Sequence, residues 1–148
     1  MNLEAWLELL ERRHPRSIDL GLQRCGAVYR QLGSPRPAKT VFTVAGTNGK
    51  GSTVAYLAAM SGALGQRYGT YTSPHIFRFN ERISIMGEPV SDASLVQAFE
   101  NIENARGDVS LTYFEFTTLA GLLILQQAEL DCAVLEVGLG GRLDTVNL

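Results

Sequence analysis

Thr40-Val41-Phe42-Thr43-Val44-Ala45-Gly46-Thr47-Asn48-Gly49-Lys50-Gly51-Ser52-Thr53 reads as a short apolar strand, a glycine-rich turn and the opening of a helix. Three glycines let the backbone pass close to a bound group, and successive N–H groups can converge on an anion. The helix beginning near Gly51 adds the positive end of its dipole, so the turn is suited to phosphate. Lys50, one of only two lysines in the chain, can reach the outer phosphates of a nucleotide. The strict Walker pattern asks for glycine five residues before Gly49 and a hydroxyl directly after the lysine. Val44 and Gly51 stand there instead. On pattern alone a ligand-free glycine turn stays open, and the missing hydroxyl leaves unanswered what would hold a magnesium ion.

Outward from this loop, helical and strand patterns alternate. Leu3, Trp6, Leu7 and Leu10 share one helical face with Asn2 as cap, and His14-Pro15 ends that helix. A second helix is expected over Leu20 to Leu32, with Leu22, Cys25, Tyr29 and Leu32 inward. Gly33-Ser34-Pro35-Arg36-Pro37 is a stiff linker into the first strand. After the loop, Val54, Leu57, Ala58, Ser61 and Leu64 fall at helical spacing. A strand from Tyr68 to Thr72 would complete a β-α-β unit. Arg82 to Met86 alternates like a strand, turned by Gly87-Glu88-Pro89. Ser91 can cap a helix burying Leu95, Phe99 and Ile102. Thr112-Tyr113-Phe114-Glu115 matches a capping box before an almost wholly apolar helix through Phe116, Leu119, Ala120, Leu123 and Ile124. Ala133-Val134-Leu135 is apolar without alternation, as in a central parallel strand. The alternation defines a doubly wound α/β domain.

The bulk properties narrow the function. With 148 residues, 45% hydrophobic and 19% charged, the chain is long enough for a core and has no disordered bias. A net charge of −2 with no basic stripe argues against nucleic-acid binding. Cys25 and Cys132 lie far apart without metal-ligand spacing, which suits a reducing compartment. Met1-Asn2-Leu3-Glu4 does not open a secretory signal, and no apolar run approaches the roughly 20 residues of a membrane helix. The expected location is the cytoplasm, with no membrane partner.

Ligands of such sheets collect at the carboxyl ends of the strands. Three strands end there in suggestive residues: the glycine loop, Ser73-Pro74-His75, and Glu136. Glu136, closing a buried strand beside a phosphate loop, is placed as a magnesium ligand or its supporting neighbour. The bland readings are a strand reaching solvent for Glu136 and a plain turn for Ser73-Pro74. Gly138-Leu139-Gly140-Gly141-Arg142-Leu143-Asp144 allows close backbone approach and offers a cation and an acceptor. A tight turn with a structural Arg–Asp pair is the alternative.

Ala45 to Ser52, Thr72-Ser73-Pro74-His75, Asn80-Glu81-Arg82-Ile83 and Glu136 to Asp144, with Ile18 to Leu22 near the start, together resemble folylpolyglutamate synthase. That family belongs to the Mur-type ATP-dependent amide ligases. Leu111 to Glu115 is most similar to the bacterial bifunctional form, which is also a dihydrofolate synthase. The resemblance implies a P-loop NTPase-like, doubly wound, mainly parallel sheet of the Mur-ligase central type. It would be incomplete here, because later strands are expected to cover the one ending at Glu136. It also implies an N-terminal helical segment over residues 1–38, an ATP-binding portion over 39–148, and a C-terminal glutamate-ligase domain that lies beyond Leu148.

By the same resemblance, Gly46, Thr47, Asn48, Gly49, Lys50, Gly51, Ser52 and Thr53 bind ATP, with Lys50 catalytic. In the folate branch glycine follows the loop lysine, as Gly51 does, and a serine matching Ser73 ligates magnesium together with Glu136. Leu111, Thr112, Tyr113, Phe114, Arg142, Leu143, Asp144 and Thr145 match segments lining a pteroate pocket. The implied cofactors are ATP and Mg2+, with room for a monovalent cation. The implied substrates are dihydropteroate or a reduced folate, L-glutamate and ATP, in a monomer. The family's further metal-binding histidine and carbamylated lysine would fall after Leu148, so the 148 residues alone are expected to be inert. The competing readings are a cell-wall amino-acid ligase, disfavoured by Gly51 and Ser73-Pro74-His75, a small P-loop kinase, and a non-catalytic nucleotide-binding module.

Overall fold

The computed structural model describes residues 1–13, 22–138 and 144–148. One sheet is built from β1 (Ala38–Val44), β2 (Tyr68–Tyr71), β3 (Ile83–Ile85), β4 (Glu88–Pro89) and β5 (Leu130–Glu136), in the order β1-β5-β2-β3-β4. β5 runs parallel to both β1 and β2, while β3 and β4 continue the sheet antiparallel. Ala133 and Leu135 belong to one core cluster, and Cys132 and Val134 to another. Successive side chains of a strand point to opposite faces, so β5 is buried on both, which explains its unbroken apolar run. Helix α3 (Lys50–Ala63) covers the Cys132 face. The other face carries α5 (Tyr113–Gln127), on which α1 (Leu3–Arg13), α2 (Gln23–Gln31) and α4 (Asp92–Arg106) pack.

The helix starts form where short polar side chains replace missing backbone partners. Asn2 Oδ1 accepts from the Ala5 N–H at 2.9 Å, and Ser91 Oγ accepts from that of Ser94 at 3.1 Å. At α5, Thr112 Oγ1 accepts from the Glu115 N–H and Glu115 Oε2 from the Thr112 N–H, at 3.1 and 2.8 Å. This is the reciprocal capping box expected from the sequence. The other oxygen of Glu115, a buried side chain, receives Arg24 Nη2 at 2.8 Å, which ties α2 to α5. Burial pushes the Cys25 thiol well up, beside a hydrogen bond with the Thr145 side chain.

Several expectations change. β1 starts at Ala38 and stops at Val44, and β2 stops at Tyr71, one residue short of Thr72. α2 begins at Gln23, with Leu22 flanking it; Leu20 and Gly21 lie outside the described residues, as do His14 and Pro15. The strands joined through α3 are not neighbours, because β5 lies between them. The strand ending at Glu136 is therefore flanked on both sides, and the edges of the sheet are β4 and β1, whose Val41 and Phe42 are exposed. Leu64, the last residue of the helical spacing, follows the last turn of α3 and is exposed. Glu88 and Pro89 form the short strand β4 instead of a turn; the bend is at Met86-Gly87. Among the described residues no helix is long and apolar enough to cross a membrane.

Candidate functional site

Parallel pairing brings three strand ends together. Val44 stands opposite Glu136, Tyr71 stands opposite Leu135, and the Val137 N–H donates to Val44 O at 2.9 Å. The glycine loop, Ser73 and Glu136 consequently share one end of the sheet. Gly49 occupies the left-handed region at φ 76° immediately before α3, where a glycine costs least. It has no side chain to cap with, so the first N–H groups of α3 remain directed at the space above the strand ends. Gly46, Thr47, Asn48, Ser52 and Thr53 are exposed, and Lys50 is half-buried. Lys50 Nζ donates to Gly46 O at 2.8 Å, and Thr53 Oγ1 donates to Gly49 O at 3.0 Å. A Cβ on Gly51 would meet nothing within 4 Å, so packing does not require glycine after the lysine.

Glu136 is only 6% exposed. Burial raises its carboxyl above the ordinary range, opposed by the charge of Lys50 and by a hydrogen bond from the backbone N–H of Ser73. Ser73, at the head of the loop after β2, also lies near Gly138, where an added Cβ would come within 3.3 Å of Ser73 Oγ. The same Cβ would sit 2.5 Å from Phe114 Cζ, so the Phe114 ring fills the place that glycine leaves open. Lys50, Ser73, Glu136, Gly138 and Phe114 thus form one cluster. Its oxygen donors, a serine hydroxyl and a carboxylate, are hard ligands suited to magnesium. That ion commonly rests on one or two protein oxygens plus phosphate and water. Among the described residues no three His, Cys, Asp or Glu side chains gather into a metal-holding group, here or elsewhere.

The other expected residues are placed unevenly. Tyr113 and Phe114 are half-buried at the start of α5, whereas Leu111 is in the core and Thr112 is occupied by its cap. Asp144 and Thr145 are buried; Asp144 Oδ1 accepts from the Val146 N–H at 3.0 Å, and Thr145 faces Cys25. Arg142 and Leu143 lie outside the described residues.

A feature not assigned from sequence is the turn Asn80-Glu81-Arg82. Asn80 Nδ2 donates to Val90 O and to Asp92 Oδ1, each at 2.8 Å. The Glu81 carboxylate accepts from the N–H groups of Ile76, Phe77 and Arg78 at 3.0, 3.1 and 2.8 Å. These bonds hold its carboxyl below the usual range. Arg82 Nε donates to His75 Nδ1 at 2.9 Å, with the guanidinium over the rings of Phe79 and Tyr113. A glutamate three residues into a short helical turn is a spacing that marks a cap, and it could have pointed to Glu81.

A glycine loop between a parallel strand and a helix, with a lysine and a buried carboxylate at the same sheet end, defines an α/β phosphate-loop protein. No family model matches the chain. It is 49% identical over 146 residues to the dihydrofolate synthase/folylpolyglutamate synthase of Escherichia coli, covering 99% of this chain and 35% of that protein. The solved structure of E. coli FolC in complex with DHPP and ADP superposes with a TM-score of 0.97 at 49% identity, over 99% of this chain and 36% of that one. The bifunctional enzyme of Yersinia pestis complexed with AMPPNP and Mn ion gives 0.95 at 51% identity, over 99% and 36%. Over 99% of its length the chain is thus similar to folylpolyglutamate synthase/dihydrofolate synthase enzymes, and it spans about a third of the length of these relatives.

Proposed function

We propose that the protein to which these residues belong is an ATP-dependent amide ligase that adds L-glutamate to dihydropteroate and to reduced folates, in folate synthesis and polyglutamylation. The observation that carries this reading is the meeting of Lys50, Ser73 and Glu136 beside the glycine loop. It is supported by the E. coli relative, solved with DHPP and ADP. Gly46 to Thr53 take the ATP phosphates. Ser73 Oγ and Glu136 would hold Mg2+, which would supply charge to offset that of the phosphates. A substrate carboxylate attacks the γ-phosphorus, giving an acyl phosphate and ADP, and the glutamate amine then displaces phosphate. The first step needs charge neutralisation and alignment more than proton transfer, and Lys50 supplies a cation on the loop.

Tyr113 and Phe114 line the pteroate pocket in this reading, backed by the buried Leu111, Thr112, Asp144 and Thr145. Residues 1–38 form a helical segment against an ATP-binding portion over 39–148, and a glutamate-ligase domain belongs to the complete protein. That protein works as a cytoplasmic monomer, without nucleic acid or membrane, and the 148 residues alone do not turn over.

The test supplies the full-length enzyme with Mg-ATP, L-glutamate, and either dihydropteroate or a reduced folate. Turnover with both acceptors is expected, and Lys50→Ala should abolish it. Full turnover in that variant, or none with either acceptor in the wild type, would overturn the proposal.

A further inference from the structure

Asn80, Glu81 and Arg82 are consecutive, yet each grips a different part of the chain around Ser73. The Thr72 N–H donates to Arg82 O at 2.8 Å, and the Arg82 side chain reaches His75. One residue therefore holds the backbone just before Ser73-Pro74 and the side chain just after it. Glu81 fixes the next three residues through their N–H groups, and Asn80 anchors the turn itself to Val90 and Asp92. The loop held this way is no part of the hydrophobic core: Ile76 is 81% exposed and Phe77 88%. Core packing therefore does not set the conformation of 76–78; polar contacts do. Of these, the bonds to the Glu81 carboxylate are charge-assisted, and three converge on one group.

We infer that Glu81 is a positioning residue: by fixing the backbone of 76–78 it holds the Ser73 loop ready for the metal–nucleotide complex before that complex arrives. This rests on the reading of Ser73 as a metal ligand. A loop already in its bound geometry loses less freedom on binding, and a loop that visits that geometry part of the time weakens affinity by the corresponding fraction. Glu81→Gln keeps the size and one acceptor oxygen but removes the charge and the second acceptor. Because the loop is exposed, water can meet the freed N–H groups, so the change loosens the loop without unfolding the protein.

The experiment is calorimetric titration of ADP into the full-length enzyme, in MgCl2 and in EDTA, for wild type, Ser73→Ala, Glu81→Gln and the double variant. In EDTA all four should agree within about twofold, because the glycine loop is unchanged. Magnesium should tighten binding to the wild type, and Glu81→Gln should lose about tenfold of that gain, the usual scale for supports of a metal ligand. If Glu81 acts through Ser73, the double variant should bind no more weakly than Ser73→Ala. A full magnesium gain in Glu81→Gln, or losses that simply add, would overturn the positioning role while leaving the metal reading intact. A full gain in Ser73→Ala would overturn the metal reading, and the positioning role with it.

Discussion

The backbone N–H of Ser73 donates to the Glu136 carboxylate, so the loop after β2 is tied to the end of β5 at the point where Lys50 also bears on that carboxylate. Burial nonetheless dominates, and the carboxyl is raised above its ordinary value of 4.5. An acid with a raised folded pKa binds its proton more tightly in the folded chain. Its stabilising contribution is complete below pH 4.5 and is lost as pH rises through the folded value.

Glu136→Gln should therefore trade function for stability. The amide oxygen can still accept from Ser73, and the buried charge is gone. Thermal unfolding of the metal-free protein should show the variant more stable at pH 7 by about 0.5–1 kcal/mol, and the two proteins alike at pH 4. The magnesium-dependent part of ADP binding should fall at the same time. A variant less stable than wild type at pH 7 would mean that the attraction of Lys50 outweighs burial.

Glu103 behaves in the opposite sense. Its carboxylate takes two hydrogen bonds from Arg106, at 2.7 and 2.8 Å, and another from Arg13, which joins α1 to α4. Chiefly through Arg106, its carboxyl is lowered from 4.5 to about 2. A depressed folded pKa stabilises above the unfolded value, so this contribution is whole above pH 4.5 and disappears as pH falls toward about 2. The shift corresponds to an upper limit of about 3 kcal/mol, and partial exposure reduces it to roughly 1–2. Glu103→Gln should cost that much at pH 7 and nothing near pH 2. Parallel acid-unfolding curves that never converge would remove the ion pair as the cause.

Thr112→Ala tests the start of α5, where the cap is buried and water cannot replace it. Loss of a cap costs about 1 kcal/mol on average and up to about 2 in buried settings. The upper end is expected here, because the buried Glu115 N–H is left without its acceptor, while the Thr112 N–H and Arg24 still hold the Glu115 carboxylate. Chemical denaturation should show a lower midpoint with an unchanged slope.

What could be read from sequence follows the range of the interactions. The glycine loop, its flanking elements and the caps at Asn2, Ser91 and Thr112 depend on residues two to four apart, and all are found where the pattern places them. The unbroken apolar run of β5 likewise marked a strand covered on both faces. Strand order was not legible: β5 inserts between β1 and β2 from more than 60 residues away, and no local pattern encodes that pairing. Glu115 shows both limits at once, since its bond to Thr112 spans three residues and its bond to Arg24 spans 91. Glu81 escaped because, in sequence, a carboxylate near a polar loop looks like any solvated charge until its three backbone donors are seen.

Gly138→Ala examines the contact between the candidate metal site and the wall of the candidate acceptor pocket. The new methyl would lie 2.5 Å from Phe114 Cζ and 2.6 Å from Cε2, too close for either ring atom to stay. Phe114 is half-buried at a helix start, so its ring can swing away and the backbone need not move. Overpacking relieved in this way costs about 1 kcal/mol, at the low end for such changes. The displaced ring would, however, leave the surface it now presents beside Ser73. Steady-state kinetics of the full-length enzyme should show a raised acceptor KM, by about tenfold for 1.4 kcal/mol of lost contact. The KM for ATP should stay within about twofold, since the glycine loop is untouched. Phe114→Leu in the same background removes the clashing atoms and should restore part of the lost stability. If the acceptor KM is unchanged in Gly138→Ala, Phe114 does not contact the acceptor, and the pocket is built from other residues.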